Sequence, residues 1–438
     1  MTPLSPPRRR PRGVDAMSPA KGCPHGMPGF YRLVNPVKTY DWGSTGAIPT
    51  LLGRVPDGRP QAEMWIGAHP AAPSLATDHL GCCSPLDDLI RSAPGSLLGE
   101  RVAAGMPPRL PFILKVLAAE RPLSIQVHPD SHHAARRFAE EEKLARSGSP
   151  HHRLYADPWH KPELLYALEP FEVLCGFRGA AEAAALLRQL AVPDLAAVIS
   201  CLDLADEGLG VRRATALLLE LRNRGAEQLV RCVVSAARHH RHPAFVTVAE
   251  LAHFHPLDPG VIVSILLNRI TLQPGEALYV PPNTVHSYLR GVGVEVMATS
   301  DNVLRAGLTT KEVAVSELLS VADFIPSEPR IIAPELDGHG EQLFAPGVQE
   351  FRLSVQQISS GEPRQWHDVG PRAVLCLDGS CTFVSENSAL TLDQGESVLI
   401  GGGIGPIHVE GDGTLVSALT GARDNIGRRR SCPCRSDQ

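Results

Sequence analysis

The sequence has 438 residues, of which 43% are hydrophobic and 20% are charged, and it contains 39 glycines and 39 prolines. That composition is typical of a soluble globular chain of two or three domains, and it excludes collagen-like and disordered proteins. The formal net charge of −5 gives no global electrostatic reason to expect nucleic acid or an anionic membrane as a partner. The predicted partner is a small molecule, and we expect the protein to act as a monomer.

The first residues carry a basic cluster with no apolar run after it. Residues 1–28 are therefore predicted to be a disordered tail, and not a secretory signal or a membrane anchor. A polar, basic tail is predicted at 425–438, where Cys432 and Cys434 lie. The ten cysteines lack C-x-x-C pairs and are too sparse for a disulfide scaffold, which predicts reduced thiols in a cytoplasmic protein. No stretch approaches the roughly 20 apolar residues of a transmembrane helix.

The body of the chain begins with short apolar runs between prolines and glycines. They predict an antiparallel sheet over 29–178, which we assign to the first part of a β-barrel module. Within it, "DSHHAARRFAEEEKLARSG" predicts a surface helix, because helix-favouring residues lie between an Asp-Ser start and a Gly stop. Alanine and leucine at helical spacing then predict a helical insertion domain over 179–256.

Strand patterns resume after the insertion. Over 257–325, "LQPGEALYVPPNTVHSYL" indicates strands joined by a Pro-Gly turn and a Pro-rich bend, and this segment is assigned to the second part of the same module. The block at 326–424 repeats the strand–turn–strand pattern without a second set of ligand-type residues, which predicts a metal-free module. The fold class is therefore mainly β, with two jelly-roll barrel modules plus an α-helical domain.

The stretch "SIQVHPD" contains the first unusual polar pattern. Ser124, Gln126 and His128 occupy every second position of a predicted strand, so their side chains lie on one face, while Ile125 and Val127 lie on the other. A solvent-facing edge strand would also give this pattern.

Other strands carry matching polar groups. Lys161 and Glu163 share a face of the apolar strand in "WHKPELLYAL", and His286 follows an apolar strand in "PNTVHSYL". Two histidines, a carboxylate and an amide oxygen that converge inside a barrel form a mixed nitrogen and oxygen site that suits zinc or another borderline divalent metal. Because the amide is neutral, such a site leaves the ion with about one net positive charge, and the metal stays Lewis-acidic.

Six motifs together resemble one family. "YDWGS", "AEMWIGAHPAAPS", "SIQVHPD", "YADPWHKPEL", "LQPGEALYVPPNTVHSYLRG" and "VEVMATSDNVLRAGLTTK" are similar, in this order, to the type I mannose-6-phosphate isomerases of the cupin superfamily. The resemblance covers residues from about 30 to 325. It implies a zinc-dependent exchange between mannose 6-phosphate and fructose 6-phosphate in a cupin-type fold.

Carried over residue by residue, the resemblance implies one zinc ion held by Gln126, His128, Glu163 and His286. It places Arg305 close to the reacting carbons. It also implies a set of residues that line the site and act on substrate, with the lysines and the serine as partners of the phosphate: Lys115, Ser124, Lys161, Tyr288, Glu295, Asp301 and Lys311.

The family reaction moves a proton between C2 and C1 through a cis-enediol, so the site must transfer a proton and stabilise negative charge on oxygen. Arg305 stays protonated in nearly any environment, which favours an electrostatic role. The base remains open among Lys161, Asp301, Glu295 and a metal-bound hydroxide. Asp301 could instead cap a turn, and Glu295 could be a packing or ion-pair residue together with Tyr288.

Two alternatives to the leading interpretation are an isomerase of the same fold that acts on another sugar phosphate or a free sugar, and a non-enzymatic cupin that binds a sugar phosphate. The chain also departs from the family pattern at Trp159, where an asparagine usually precedes "HKPE". This change lies next to Lys161 and Glu163, so we expect it to affect substrate preference and rate more than metal binding.

Overall fold

The computed structural model describes residues 29–78, 81–105, 107–148, 152–221, 226–337, 340–367, 370–386 and 388–421. The tails predicted from the sequence, including Cys432 and Cys434, lie outside the described residues. As predicted, the described chain is mainly β, with two antiparallel sheets and a group of helices.

The strands follow one another in this order along the chain: β1 Phe30–Val34, β2 Val37–Lys38, β3 Glu63–Ile66, β4 Leu75–Thr77, β5 Cys83–Pro85, β6 Phe112–Ala119, β7 Ile125–Val127, β8 Glu163–Ala167, β9 Phe171–Phe177, β10 Leu267–Leu272, β11 Ala277–Val280, β12 His286–Ala298, β13 Leu304–Gly307, β14 Arg330–Ile332, β15 Glu335–Leu336, β16 Gln342–Phe344, β17 Arg352–Ile358, β18 Arg364–Trp366, β19 Arg372–Val384, β20 Ala389–Asp393, β21 Ser397–Ile400 and β22 Ile407–Leu419.

The helices are α1 Ala47–Leu51, α2 Leu86–Ser92, α3 Pro94–Leu98, α4 Glu100–Gly105, α5 Ser131–Arg146, α6 Ala180–Gln189, α7 Ala196–Leu202, α8 Glu207–Glu220, α9 Glu227–Ala237, α10 Pro243–Phe254, α11 Gly260–Val263 and α12 Val315–Val321. Helix α5 is the predicted surface helix, and the Asp130 side chain caps it by accepting from the His133 N–H. Helices α6 to α10 lie in the predicted helical insertion. Within the described chain, no helix has the length and apolar character that crossing a membrane requires.

The strands divide between two sheets. Sheet 1 contains β2, β3 and β6 to β14, and sheet 2 contains β1, β4, β5 and β15 to β22. An apolar core fills the space between them, with Phe112 and Leu114 from sheet 1 and Phe344 and Leu353 from sheet 2 all buried, together with Phe351 just before β17. Burial of these aromatic and aliphatic side chains joins the two sheets into one packed body.

Strand β12 is long enough to serve two parts of sheet 1. Its first residues pair with β7 and β9, and its later residues pair with β6 and β8. The strand bends at Gly291, whose φ is +138°, and a Cβ atom at this position would lie 2.7 Å from a ring carbon of Phe171. Only glycine fits this bend, which closes the sheet around the site described below.

Sheet 2 draws strands from both ends of the chain. Phe30 in β1 lies opposite Ile400 in β21, and β4 adds to the other edge of β1. Conversely, β14 comes from the predicted C-terminal module but pairs with β11 of sheet 1. The domain boundaries drawn from sequence at 29–178, 257–325 and 326–424 stay a prediction, and the hydrogen-bonded sheets cross them.

Most described cysteines carry free thiols, as the sequence predicts. Cys82 is disulfide-bonded, so the prediction of reduced thiols is wrong at this position. Burial raises the pKa of the Cys175 thiol to about 12, which keeps that group protonated and unreactive at neutral pH.

A buried ion pair stabilises sheet 2. Arg372 donates to Glu341 and Ser354, and its guanidinium lies 3.5 Å from the centre of the Trp366 ring. Replacing Glu341 with leucine removes this carboxylate from the side of the buried arginine, and we expect the free energy of unfolding to fall by about 3–5 kcal/mol. Chemical unfolding followed by tryptophan fluorescence measures this loss.

The matched control for that change is Glu140→Leu. Glu140 forms its ion pairs with Arg136 and Arg137 on the surface of α5, where solvent screens the charges. The control variant should unfold at the same denaturant concentration as the parent protein. An equal loss in both variants would contradict a special role for the buried pair.

Candidate metal centre and active-site pocket

A cavity of about 700 Å³ opens beside β6, β7, β12 and β13. Ten of the twelve site residues predicted from the sequence line it: Lys115, Ser124, Gln126, Lys161, Glu163, Tyr288, Glu295, Asp301, Arg305 and Lys311. The other two, His128 and His286, are fully buried next to Glu163. The structure therefore brings the predicted residues to one place.

Strand register explains how distant segments meet here. Strand β7 lies between β12 and β13, so Gln126 has His286 opposite it on one side and Arg305 opposite it on the other. The strand is short, because only residues from Ile125 to Val127 pair, and His128 follows directly. The alternation predicted for "SIQVHPD" places Ser124 and Gln126 toward the cavity, while Ile125 and Val127 are buried in the core.

Three ligand-type side chains converge behind this wall. The Nε2 atoms of His128 and His286 each lie 3.3 Å from an oxygen of Glu163. All the ligand atoms lie within 4.8 Å of one another. We call His128, Glu163 and His286 the metal cluster. The amide nitrogen of Gln126 lies 3.4 Å from His286 Nε2, so Gln126 is the fourth residue at this point.

Backbone carbonyls fix the tautomers of the two histidines. His128 Nδ1 lies 2.6 Å from the Asn302 oxygen, and His286 Nδ1 lies 2.9 Å from the Thr284 oxygen. A carbonyl only accepts, so each Nδ1 carries the proton and each Nε2 presents a lone pair. Two lone pairs and a carboxylate that face each other repel unless a cation lies between them. The donor set fits a divalent metal.

Two further observations support this fit. His128 Nε2 and Glu163 Oε2 are buried and form no hydrogen bond with the described residues. Burial, together with the nearby Lys161 ammonium, lowers the pKa of His128 to about 4, so the imidazole is neutral at physiological pH. Although burial opposes it, the positive charge of Lys161 helps to hold the pKa of Glu163 well below its usual range. The cluster is therefore in its metal-binding protonation state.

Lys161 lies at the edge of the metal cluster, and its Nζ atom is 2.9 Å from Glu163 Oε1. The preceding Trp159 lies under Arg109, whose guanidinium carbon is 4.0 Å from the ring centre. The Trp159 carbonyl accepts from the Asn302 amide at 2.8 Å. These contacts hold the loop that carries Lys161, so the departure from the family pattern at Trp159 is accommodated without displacing Glu163.

A charged network forms the floor of the cavity. Lys115 Nζ lies 3.3 Å from Glu295 and 3.7 Å from Glu63, and the Tyr288 hydroxyl donates to Glu295 at 2.9 Å. Burial and the negative charge of Glu163 raise the pKa of Glu295. The predicted packing and ion-pair roles of Tyr288 and Glu295 are present, and both side chains also face the cavity.

The opposite end of the cavity has positive groups without partners. Among the described residues, Arg305 and Lys311 form no ion pair. Strand β13 runs antiparallel to β7, so the residues after Gly307 run beside Ser124 and the residues before it. The half-buried Arg305 and the exposed Lys311 therefore make this end of the cavity attractive to an anion.

Several lining residues were not singled out by sequence reasoning. Glu63, Trp65 and His69 come from the motif "AEMWIGAHP", Trp42 comes from "YDWGS", and Arg121 comes from the loop before β7. Their motifs contributed to the resemblance, but no spacing rule showed that these side chains would reach the cavity. The aromatic residues Tyr40 and Trp42, which stack on each other, are the one sequence feature that could have indicated a sugar-binding wall here.

Comparisons with known proteins agree with this geometry. Residues 30–180 match the family model described as phosphomannose isomerase type I, catalytic domain. Mannose-6-phosphate isomerase of Escherichia coli is 36% identical over 390 residues, which span 88% of this chain and 98% of that protein. The rat enzyme of the same name is 30% identical over 92% of this chain and 99% of its own length.

Solved structures give the same result. A zinc-bound mannose 6-phosphate isomerase superposes with a TM-score of 0.82 at 33% identity, and the match covers 90% of this chain and all of that one. A variant of phosphomannose isomerase from Salmonella typhimurium gives a TM-score of 0.83 at 32% identity over the same coverage. The chain therefore belongs to the type I phosphomannose isomerase family.

Proposed function

We propose that this chain interconverts mannose 6-phosphate and fructose 6-phosphate with one zinc ion as cofactor. The observation that carries this proposal is the metal cluster, whose Glu163 faces a cavity that also contains unpaired cations and a carboxylate. Such a combination suits a phosphorylated sugar whose C1 and C2 oxygens must be polarised.

Zinc would be held by the metal cluster, with Gln126 as a neutral fourth donor. When bound, zinc supplies a Lewis acid that stabilises negative charge on a substrate oxygen. The protein contributes the fixed Nε2 lone pairs of His128 and His286 and the single carboxylate of Glu163. That ligand charge leaves the ion with about one net positive charge.

The phosphate is proposed to bind where Lys311 and Ser124 line the cavity. Lys115 and Lys161 are weaker candidates than the resemblance implies, because each is already neutralised by a carboxylate within 3.3 Å. The Lys311 ammonium has no acidic partner among the described residues, so it provides a charge-assisted hydrogen bond that a free sugar cannot use. This supports a sugar phosphate as substrate.

Proton transfer is proposed to use Asp301. A hydrogen bond from His69 lowers the pKa of Asp301, so this carboxylate is ionised at neutral pH and can take the proton from C2 and return it to C1. The Lys161 ammonium is held at Glu163, which favours an electrostatic role. Arg305 is proposed to stabilise the charge of the enediol, because a guanidinium stays protonated.

The deciding experiment is an isomerisation assay of the purified protein before chelation, after chelation and after zinc is added back. We expect turnover to fall by about a hundredfold or more on chelation, because a metal ion contributes several kcal/mol of transition-state stabilisation, and to return with zinc. Metal content is measured at each stage to show that zinc has left. Full turnover in protein proven to be zinc-free would contradict the proposal.

Two arms of the same assay test the alternatives. Mannose without phosphate should be a much poorer substrate, because the cationic end of the cavity then has no partner. Exchange of the C2 proton with deuterated solvent separates catalysis from binding, since a non-enzymatic cupin would bind the sugar without exchange. The monomeric state and the cytoplasmic location remain predictions, and size-exclusion chromatography with light scattering tests the first.

A further inference from the structure

His69 lies in the "IGAHP" motif just after β3, and in the mechanism above it enters only through its effect on the pKa of Asp301. It forms part of the wall between the main cavity and a second cavity of about 440 Å³, and both cavities are bounded by His69, Ser300 and Asp301. Only 4% of its surface is exposed. A buried histidine on the wall of an active site needs partners for both ring nitrogens.

Both partners are present. The Ala71 backbone N–H donates to His69 Nδ1 at 3.2 Å, so Nδ1 is an acceptor and the ring proton is on Nε2. His69 Nε2 lies 3.3 Å from Asp301 Oδ1. The ring is also held edge-on against Trp65, with the ring centres 4.9 Å apart. The imidazole is therefore fixed in one tautomer, and the nitrogen that carries its proton is the one that lies 3.3 Å from the Asp301 carboxylate.

The Asp301 carboxylate depends on this contact for its orientation. About half of the side chain is exposed, and among the described residues His69 is the one charged or titratable side chain within 4 Å of its carboxylate. Its backbone is anchored separately, because the Asp301 N–H donates to Asp157 at 2.8 Å and Ser300 donates to the same carboxylate at 2.9 Å. The main chain at Asp301 is thus held by Asp157, while the carboxylate itself has the buried His69 as its neighbour.

We propose that His69 is a positioning residue, which holds the Asp301 carboxylate toward the substrate by donating its Nε2–H. The inference rests on the proposed function, in which Asp301 accepts the proton from C2. A carboxylate that can rotate into solvent spends less time within reach of the C2 proton. Small losses of alignment lower the rate of proton transfer substantially.

The contact also has a consequence for pH dependence. The charged or titratable groups that face the Asp301 side chain are His69, Lys161, Lys115 and Tyr40. The Asp157 carboxylate also lies nearby, because it accepts from the Asp301 backbone N–H. The hydrogen bond from His69 is the largest influence and lowers the pKa of Asp301, while burial raises it. Activity that needs the ionised carboxylate is lost as pH falls through this pKa. Removing His69 raises the pKa, so the acid limb of the rate profile must move to higher pH.

The test uses three substitutions of His69 in the zinc-loaded protein. In His69→Leu the donor is lost, and we expect kcat to fall about tenfold to a hundredfold, with KM within about twofold and zinc content unchanged. In His69→Gln the amide nitrogen occupies the place of Nε2, so kcat and the acid limb should recover most of the way. In His69→Asn the amide reaches only Ala71, so this variant should behave like the leucine variant.

The matched control is His133→Leu. His133 on α5 lies with its Nε2 atom 2.9 Å from a carboxylate oxygen of Glu317 on α12. This is also a partly buried histidine–carboxylate pair, but it lies outside both cavities. Its kcat and acid limb should equal those of the parent protein, even where its melting temperature falls. A shift of the acid limb in His69→Leu that is absent from His133→Leu supports the proposal, because a merely structural role would not move the limb.

A double-mutant cycle completes the test. Once Asp301→Asn has removed the carboxylate, adding His69→Leu should cause no further loss of kcat. Additive losses would overturn the proposal, as would a normal kcat and acid limb in His69→Leu. If the parent protein itself fails to isomerise the sugar phosphate, the proposed function is what fails, and that outcome is separate from any result with the variants.

Discussion

Replacing His128 with alanine is expected to abolish both zinc binding and turnover. The imidazole contributes one of two Nε2 lone pairs directed at Glu163, and its Nδ1–H is fixed by the Asn302 carbonyl at 2.6 Å. Without it the site has two protein nitrogen and oxygen ligands plus a neutral amide, too few to retain the metal. We expect turnover to fall by about a thousandfold or more, measured together with the zinc content of the purified variant.

A histidine in sheet 2 provides the control. His408 is exposed on β22 and lies opposite Gln365, far from the metal cluster in sequence and in sheet. His408→Ala should keep stoichiometric zinc and full turnover. If His128→Ala retained stoichiometric zinc after dialysis, the assignment of His128 as a ligand would be wrong.

Replacing Arg305 with alanine is expected to give the opposite separation, in which zinc is kept and turnover is lost. Arg305 in β13 lies opposite Gln126 in β7. Among the described residues, it forms no ion pair with a member of the metal cluster. Its half-buried guanidinium is proposed to stabilise developing negative charge, and loss of one such donor costs about a hundredfold to a thousandfold in kcat. Steady-state kinetics and zinc content are measured on the same preparation.

Arg305→Lys is the matched variant for this change. A lysine keeps the positive charge but loses the planar fork of donors, so partial activity is expected, between that of the parent and that of the alanine variant. Near-normal turnover of Arg305→Ala would refute the electrostatic role. Loss of zinc in the alanine variant would show instead that Arg305 supports the metal cluster.

The parts of the site that follow from short-range sequence patterns could be predicted. Period-2 alternation places Ser124 and Gln126 on one face of a strand, and the structure has them at the cavity. Asp130 before a run of helix-favouring residues predicts the start of α5, and its carboxylate does cap that helix. These features depend on backbone geometry over a few residues, which the local sequence determines.

Contacts between distant segments could not be predicted in this way. Asn302 illustrates the problem. Its side-chain amide donates to the backbone carbonyls of Asp157 and Trp159, and its backbone carbonyl accepts from His128 Nδ1. Nothing in the spacing of these residues indicates that three segments meet at this one asparagine. His69 is a similar case, since its partner Asp301 is brought to it only by the closure of sheet 1. Such pairings follow from tertiary packing, which a strand pattern does not encode.

The pairing of β1 with β21 has a consequence for how the protein is made. Phe30 and Ile400 are neighbours in sheet 2 although about 370 residues separate them. At roughly 5–20 residues per second, the ribosome takes about 20 to 75 seconds to synthesise the partner of the first strand. During that interval only the β4 edge of β1 can pair, and Phe30 and Tyr31, both buried in the finished protein, lack their partner strand. The nascent chain is therefore a natural client for a ribosome-associated chaperone, and its yield in a cell should depend on one.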